Sequence, residues 1–299
     1  MSYDRRKFIK ITGGVTTGLA LSSVTGMSLL SSCDDGAGSI KTFGLQLYSL
    51  RDDMPKDPKG VLKQVASFGY KNIESYQHSE LGIFWGMGYK EFKKYLDDIG
   101  LTILSTHHDV IKGFPENKAA FEKTAAEAAE IGIKYIFCPW LGAQKTLDDY
   151  KRKADQFNQC GEICRKAGLR FGYHNHEYSF AMLEGKMPQD VIMENSDPAL
   201  VDFELDIYWV VTAGQDPEAW FKKYPNRFRL CHVKDRMKNA TEREATCTLG
   251  EGIIDFPKIL KTAKANGMQY YIVEHERYDG TTPLKAVEAD AAYMKKLKF

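Results

Sequence analysis

Apolar and polar positions along this chain fall into one recurring unit. A helical stripe closes on a glycine, and within a residue or two a β-rich run begins. The signal occurs at Gly69, Gly100, Gly132, Gly168 and Gly267, ahead of runs that open at Tyr70, Leu101, Lys134, Leu169 and Gln269. Glycine at such a point supplies the left-handed conformation that ends a helix, and the run after it predicts a strand. The glycines are 31, 32 and 36 residues apart, then 99, which is three units of 33. That period is the length of a βα unit and too long for a short solenoid repeat.

Laid along the whole chain, the same ruler predicts eight strands, beginning near Phe43, Tyr70, Leu101, Lys134, Leu169, Val201, Phe228 and Gln269, with helices between them. The clearest helix starts at Thr146. This residue reads as an N-cap, Asp149 is the acidic residue at the third helical position, and Leu147, Tyr150, Phe157 and Cys164 form one stripe. Residues 42–299 are expected to form a single α/β domain, a (β/α)8 barrel, since that length lies close to the roughly 250 residues typical of the fold.

Catalytic residues of such barrels come from the C-terminal ends of the strands. Here those ends carry Gln46 and Tyr48, Glu74, His107, Trp140, His174 and His176, Asp206, His232 and Glu274. Four of the seven histidines fall on them, a concentration that chance does not explain. Residues two apart on a strand share a face, so His174 and His176 are expected to point the same way, while His108 and His275 face away from the residues that precede them. Two or three imidazoles with two carboxylates suit a divalent transition ion such as Mn, Co, Fe or Zn better than Ca or Mg, which prefer oxygen shells. The expected metal ligands are His174, His176, Asp206, His232 and Glu274. Asp206 lies in so apolar a run that an unpaired carboxylate there would be costly.

Net charge is +1 with 43% hydrophobic residues, a composition that predicts no nucleic-acid partner. The first 33 residues stand apart from the barrel. Arg5 and Arg6 lie among basic neighbours ahead of a mildly apolar run, which resembles a twin-arginine export signal, and Leu30 to Cys33 resembles a lipobox. The expectation is a lipoprotein or periplasmic protein, joined through a short linker (residues 34–41) to the barrel and touching the membrane only through a lipid at Cys33. Five other cysteines without paired short spacing argue against a disulfide framework, and Cys160 and Cys164 suit a small buried role.

Several segments together carry a family resemblance: Gly44 to Asp52, Tyr173 to His176, Glu204 to Trp209, His232 to Asp235, Leu249 to Gly252 with Asp255, and Val273-Glu274. The chain resembles the xylose isomerase-like barrel superfamily, whose members are usually described as sugar phosphate isomerases/epimerases. The resemblance implies a metal held from strands five to eight, commonly by Glu, Asp, His and Glu, and it carries over to Asp206, His232 and Glu274. It departs at strand five, where His174 stands in place of the glutamate of many epimerases and His176 and Glu177 follow. The two-carboxylate proton shuttle of those epimerases therefore has only Glu274 in its usual place. The implied chemistry is proton abstraction next to a carbonyl of a carbohydrate, with His174, Glu177 or Glu274 as base and Lys234 or His107 stabilising the enolate oxygen. Tyr48, Trp140 and Trp209 are expected to stack on a sugar face, with Gln46 and Glu74 as further substrate contacts. An isomerase or epimerase is the leading expectation, a 3-keto-glycoside lyase the alternative, and a non-catalytic sugar-binding lipoprotein a third reading. A nuclease would need more metal ligands and a basic face.

Overall fold

The computed structural model describes residue 40 and residues 42–299. The expected export signal, its Cys33 and nearly all of the linker lie outside the described residues. Eight parallel strands close into a barrel in sequence order, with strand eight back against strand one. They are Gly44–Gln46, Asn72–Tyr76, Thr102–His107, Tyr135–Cys138, Arg170–His174, Val201–Asp206, Phe228–Val233 and Tyr270–Val273. This is the (β/α)8 barrel that the repeat predicts. Gly69, Gly100, Gly132, Gly168 and Gly267 all have positive φ, so each does terminate a helix or the turn after it. The helix Leu147–Ala167 opens with Thr146 and Asp149 exchanging hydrogen bonds as a capping box, and it buries Tyr150, Phe157, Cys160 and Cys164.

Inside the barrel, the floor is a small apolar layer of Leu104, Tyr135, Phe137, Leu230 and Ile272. Phe137 fits because strand five has no side chain at Gly172, where a Cβ would collide with the Phe137 ring and lie 2.8 Å from the Asp202 carbonyl oxygen. Two register shifts set what stands above this floor. Strand three carries an extra residue relative to strand two, since Ile73 pairs with Ile103 but Glu74 with Ser105. Strand seven carries one relative to strand six, since Phe203 pairs with Phe228 but Glu204 with Leu230. Such an irregularity resets the two-residue alternation of faces. It lets Leu104 and His107, an odd number of residues apart, both face inward. After strand seven, Asp235–Arg236 and Thr246–Cys247 pair as a short antiparallel hairpin at the rim.

Candidate metal centre and active-site cleft

Strands six, seven and eight each deliver one polar group at matching height, because Asp206 pairs with His232 and strand eight runs beside strand seven. Asp206, His232 and Glu274 bring an oxygen, an imidazole nitrogen and an oxygen within 4.8 Å of one another, all buried. His232 Nδ1 lies 3.1 Å from Glu274 Oε2 and 3.7 Å from Asp206 Oδ2. From strand five, His174 Nε2 stands 3.9 Å from the same Asp206 oxygen. Asp206 is held firmly: its Oδ1 accepts the Trp209 N–H at 3.0 Å, and the Asn175 side chain bonds its backbone N–H and carbonyl. Its Oδ2 is buried with no hydrogen-bond partner. A bare buried carboxylate oxygen facing two imidazoles fits a cation site, so this mixed set could hold a metal ion.

Beneath this set lies a second polar layer. Glu204 Oε2 meets His107 Nε2 at 2.8 Å, His174 Nδ1 at 3.2 Å and His232 Nε2 at 3.3 Å. Glu74 Oε1 meets His232 Nε2 at 2.8 Å and His107 Nε2 at 3.1 Å, and it accepts the Gln46 amide at 2.7 Å. A carboxylate can only accept, so His174 donates from Nδ1 and His232 from Nε2, and the His174 nitrogen that faces Asp206 is left with its lone pair. His232 Nδ1 meets the Glu274 carboxylate as well, and although burial opposes its charged form, Glu204 and Glu274 hold this ring well above its ordinary value. This carboxylate–histidine relation orients ligands in metal sites.

Charge is concentrated here, and burial sharpens every interaction. Burial alone would raise the Glu274 carboxyl, but Lys234 and His232 hold it well below the usual carboxylate range. Burial opposes the charged form of His107, yet Glu74 and Glu204 outweigh it and lift the ring to about 10. His174 is lowered by burial and by His232. Desolvation and the neighbouring His174 hold the partly buried His176 well below its ordinary value, so it stays neutral. Burial raises Glu276 in spite of Lys234, its direct ion-pair partner.

The cleft above has a volume of about 450 Å³, and its walls include Tyr48, Tyr76, Trp140, His176, Trp209 and Arg243. Tyr48 and Trp140 are 40% and 42% exposed at the rim, whereas Trp209 is buried. Of the expected metal ligands, His174, Asp206, His232 and Glu274 converge. His176 is not in that converging group: its ring centroid lies 4.5 Å from Trp140, 5.0 Å from His174 and 5.3 Å from Trp209, and its Nδ1 has no partner. Gln46 and Glu74, expected at the substrate, are fully buried in the lower layer. Lys234 is also fully buried, 3.1 Å from Glu274. His107 borders the cleft while bonded to the lower carboxylates. Glu177 turns to Arg243, which donates to it at 2.6 and 2.9 Å, and it does not line the cleft. His275 does face away, bonded to Asp290 at 2.8 Å, and His108 packs on Phe121.

Sequence reasoning missed Glu204, Glu276 and Arg243. The first two were within reach, since each lies two residues from an assigned ligand on the same strand or its extension. Arg243 sits on the rim hairpin, where neither period nor spacing marks it.

Comparison with known proteins agrees with this fold. The family described as xylose isomerase-like TIM barrel matches residues 62–297. The chain is similar to a sugar phosphate isomerase/epimerase from Parabacteroides distasonis, 33% identical over 91% of this chain and 98% of that one, with a TM-score of 0.74. It is also similar to the inosose dehydratase of Lacticaseibacillus casei, 25% identical over 79% of this chain and 88% of the relative. A zinc-bound IolI protein shares the fold, at 15% identity over 84% of this chain and 95% of that one, with a TM-score of 0.69. The chain belongs to the xylose isomerase-like TIM barrel family and is an enzyme.

Proposed function

We propose that this enzyme is a carbohydrate lyase of the dehydratase type, acting on a polyhydroxylated ketone. The observation that carries the reading is the asymmetry of the site. Strand five presents His174 where a carboxylate opposite Glu274 would serve a two-faced proton shuttle, and His176 and Glu276 are further groups that line the cleft. The name of the inosose dehydratase relatives supports the same chemistry. Asp206, His232, Glu274 and His174 would hold a divalent Mn, Co, Fe or Zn ion, which when bound would polarise the ketone and lower the barrier to losing the neighbouring proton.

The chain's own groups do the rest. The neutral imidazole of His176, which lines the cleft, takes the proton from the carbon beside the carbonyl. The electrons of that C–H bond form a C=C bond as the C–O bond one carbon further breaks. The departing oxygen takes a proton from the Glu276 carboxyl, which burial keeps protonated to higher pH. Trp209 and Trp140 supply flat apolar walls for the ring. A second reading, isomerase or epimerase, is favoured by the name of the 33% identical structure. It shares the first proton transfer and returns a proton to carbon instead of expelling oxygen.

Proton NMR in D₂O of the metal-loaded protein against keto-cyclitols, 3-keto-glycosides and free ketoses tests this. Loss of water or of the C1 substituent supports the lyase. Deuterium beside the carbonyl with every C–O bond intact replaces it with the isomerase. Residues 1–33 we infer to direct export through the twin-arginine route, with lipidation at Cys33. Mass spectrometry of the mature protein checks this, since an unprocessed Met1 would sink it.

A further inference from the structure

The cations around the cleft are already spoken for. Among the described residues lining it, four carboxyl groups (Asp109, Glu244, Glu274 and Glu276) face three cations, Lys112, Arg243 and the His107 imidazolium, the last held by Glu74 and Glu204. Lys112 is paired with Asp109 at 2.6 Å. Arg243 gives its Nε and Nη2 hydrogens to Glu177 at 2.6 and 2.9 Å and an Nη1 hydrogen to Glu244 at 2.7 Å, with its plane 4.2 Å over the Trp209 ring. Lys234, just behind the cleft, is shared among Asp206, Glu274 and Glu276. The amide of Trp209 at the start of the helix after strand six is taken by Asp206.

Arg243 is also fixed in this arrangement by the rim hairpin. Arg236 donates to the carbonyls of Ala240, Glu242 and Arg243, and Tyr208 donates to that of Arg243 at 2.7 Å. Asp235 accepts the N–H groups of Gly250, Gly252 and Ile254, which ties the far end of the loop. A phosphate ester is recognised by free bidentate guanidinium edges or open backbone amides. Here it would have to displace a carboxylate from Arg243 and sit among the remaining acids. The charge of a divalent ion would be matched by two of its own ligands, Asp206 and Glu274.

We propose that the substrate is an uncharged carbohydrate, and that Arg243, neutralised by Glu177 and Glu244, excludes phosphorylated and other anionic sugars while its guanidinium and Trp209 shape the neutral pocket. This rests on the reading that the cleft takes a carbohydrate ketone. It separates this chain from what the name of its 33% identical relative says of that protein.

Calorimetry and ligand-observed NMR on the full-length, metal-loaded protein test it with inorganic phosphate, D-fructose and D-fructose 6-phosphate. The wild type should prefer the neutral ketose over its phosphate by at least about tenfold, since like charges brought together cost affinity. The double variant Glu177→Gln, Glu244→Gln should bind inorganic phosphate at least about tenfold tighter than the wild type, because the guanidinium edge is then free. Tighter binding of the phosphate ester by the wild type would overturn the proposal and leave the carbohydrate reading standing. No gain of phosphate affinity in a double variant with an unchanged melting temperature would also overturn it. Phosphate bound by the variant in the absence of any sugar binding supports the charge argument and counts against the carbohydrate reading alone.

Discussion

The floor and the upper layers of this barrel are built by the same strands and obey opposite rules. Strand seven places Leu230 in the floor and His232 two residues above it, and strand eight places Ile272 and then Glu274. Below, the side chains are apolar, fill space against Gly172, and contribute by burial. Above, four carboxylates (Glu74, Glu204, Asp206 and Glu274) and three imidazoles (His107, His174 and His232) crowd into almost equally buried space, and several oxygens, on Glu74, Glu204 and Asp206, have no partner. A protein optimised only for stability would not keep such groups there. The difference teaches where selection for chemistry begins: one pleat repeat, two residues, above the floor.

The largest effect should come from the upper layer. Asp206→Ala or His232→Ala should abolish stoichiometric metal and activity, checked by elemental analysis of the purified variants. Full metal retention in both would remove the distinction drawn between the layers. Next, Phe137→Ala in the floor should cost about 3–5 kcal/mol of stability by emptying a well-packed site, with metal stoichiometry unchanged at temperatures where it stays folded. Denaturant titration alongside metal analysis reads both. Glu204→Gln keeps shape but weakens the hold on His174 and His232, and should lower metal affinity by roughly 10–100-fold with little change in melting temperature. A competition titration with a chelator measures it, and an unchanged affinity would reduce Glu204 to filler.

The smallest predicted effect lies outside the barrel interior. His108, buried against Phe121, is lowered to about 4 by desolvation. The unfolded chain therefore binds a proton that the folded chain refuses between about 6.5 and 4, so stability falls as pH drops through that window. His108→Leu should flatten this part of the acid limb in melts at stepped pH. An unchanged slope would place the acid sensitivity in the carboxylate layers instead.

The sequence made the frame legible for a simple reason. Helix-ending glycines and a two-residue strand period are local, and the chain repeats them often enough to count. Asp206, His232 and Glu274 could be picked out because each interrupts an apolar run at a strand end. His176 was grouped with them by the same alternation, yet its ring turned to Trp140, Trp209 and Tyr178, where an aromatic surrounding receives it. Gln46 ends strand one, but Glu74, its neighbour in register, lies two residues short of the end of strand two, which runs on to Tyr76 opposite His107, and both side chains join the lower layer.

What the sequence determined by itself is the succession of βα units, the closed barrel they imply, and the end of that barrel at which polar groups gather. The tertiary structure alone decided which of those groups touch. Register shifts in strands three and seven fix the heights of His107 and His232, and Glu204 bonds three imidazoles from three other strands. A rim hairpin brings Arg243 to Glu177 from 66 residues away. Contacts of that kind depend on closure of the whole sheet, because no local pattern encodes the distance between residues brought together only when the last strand meets the first.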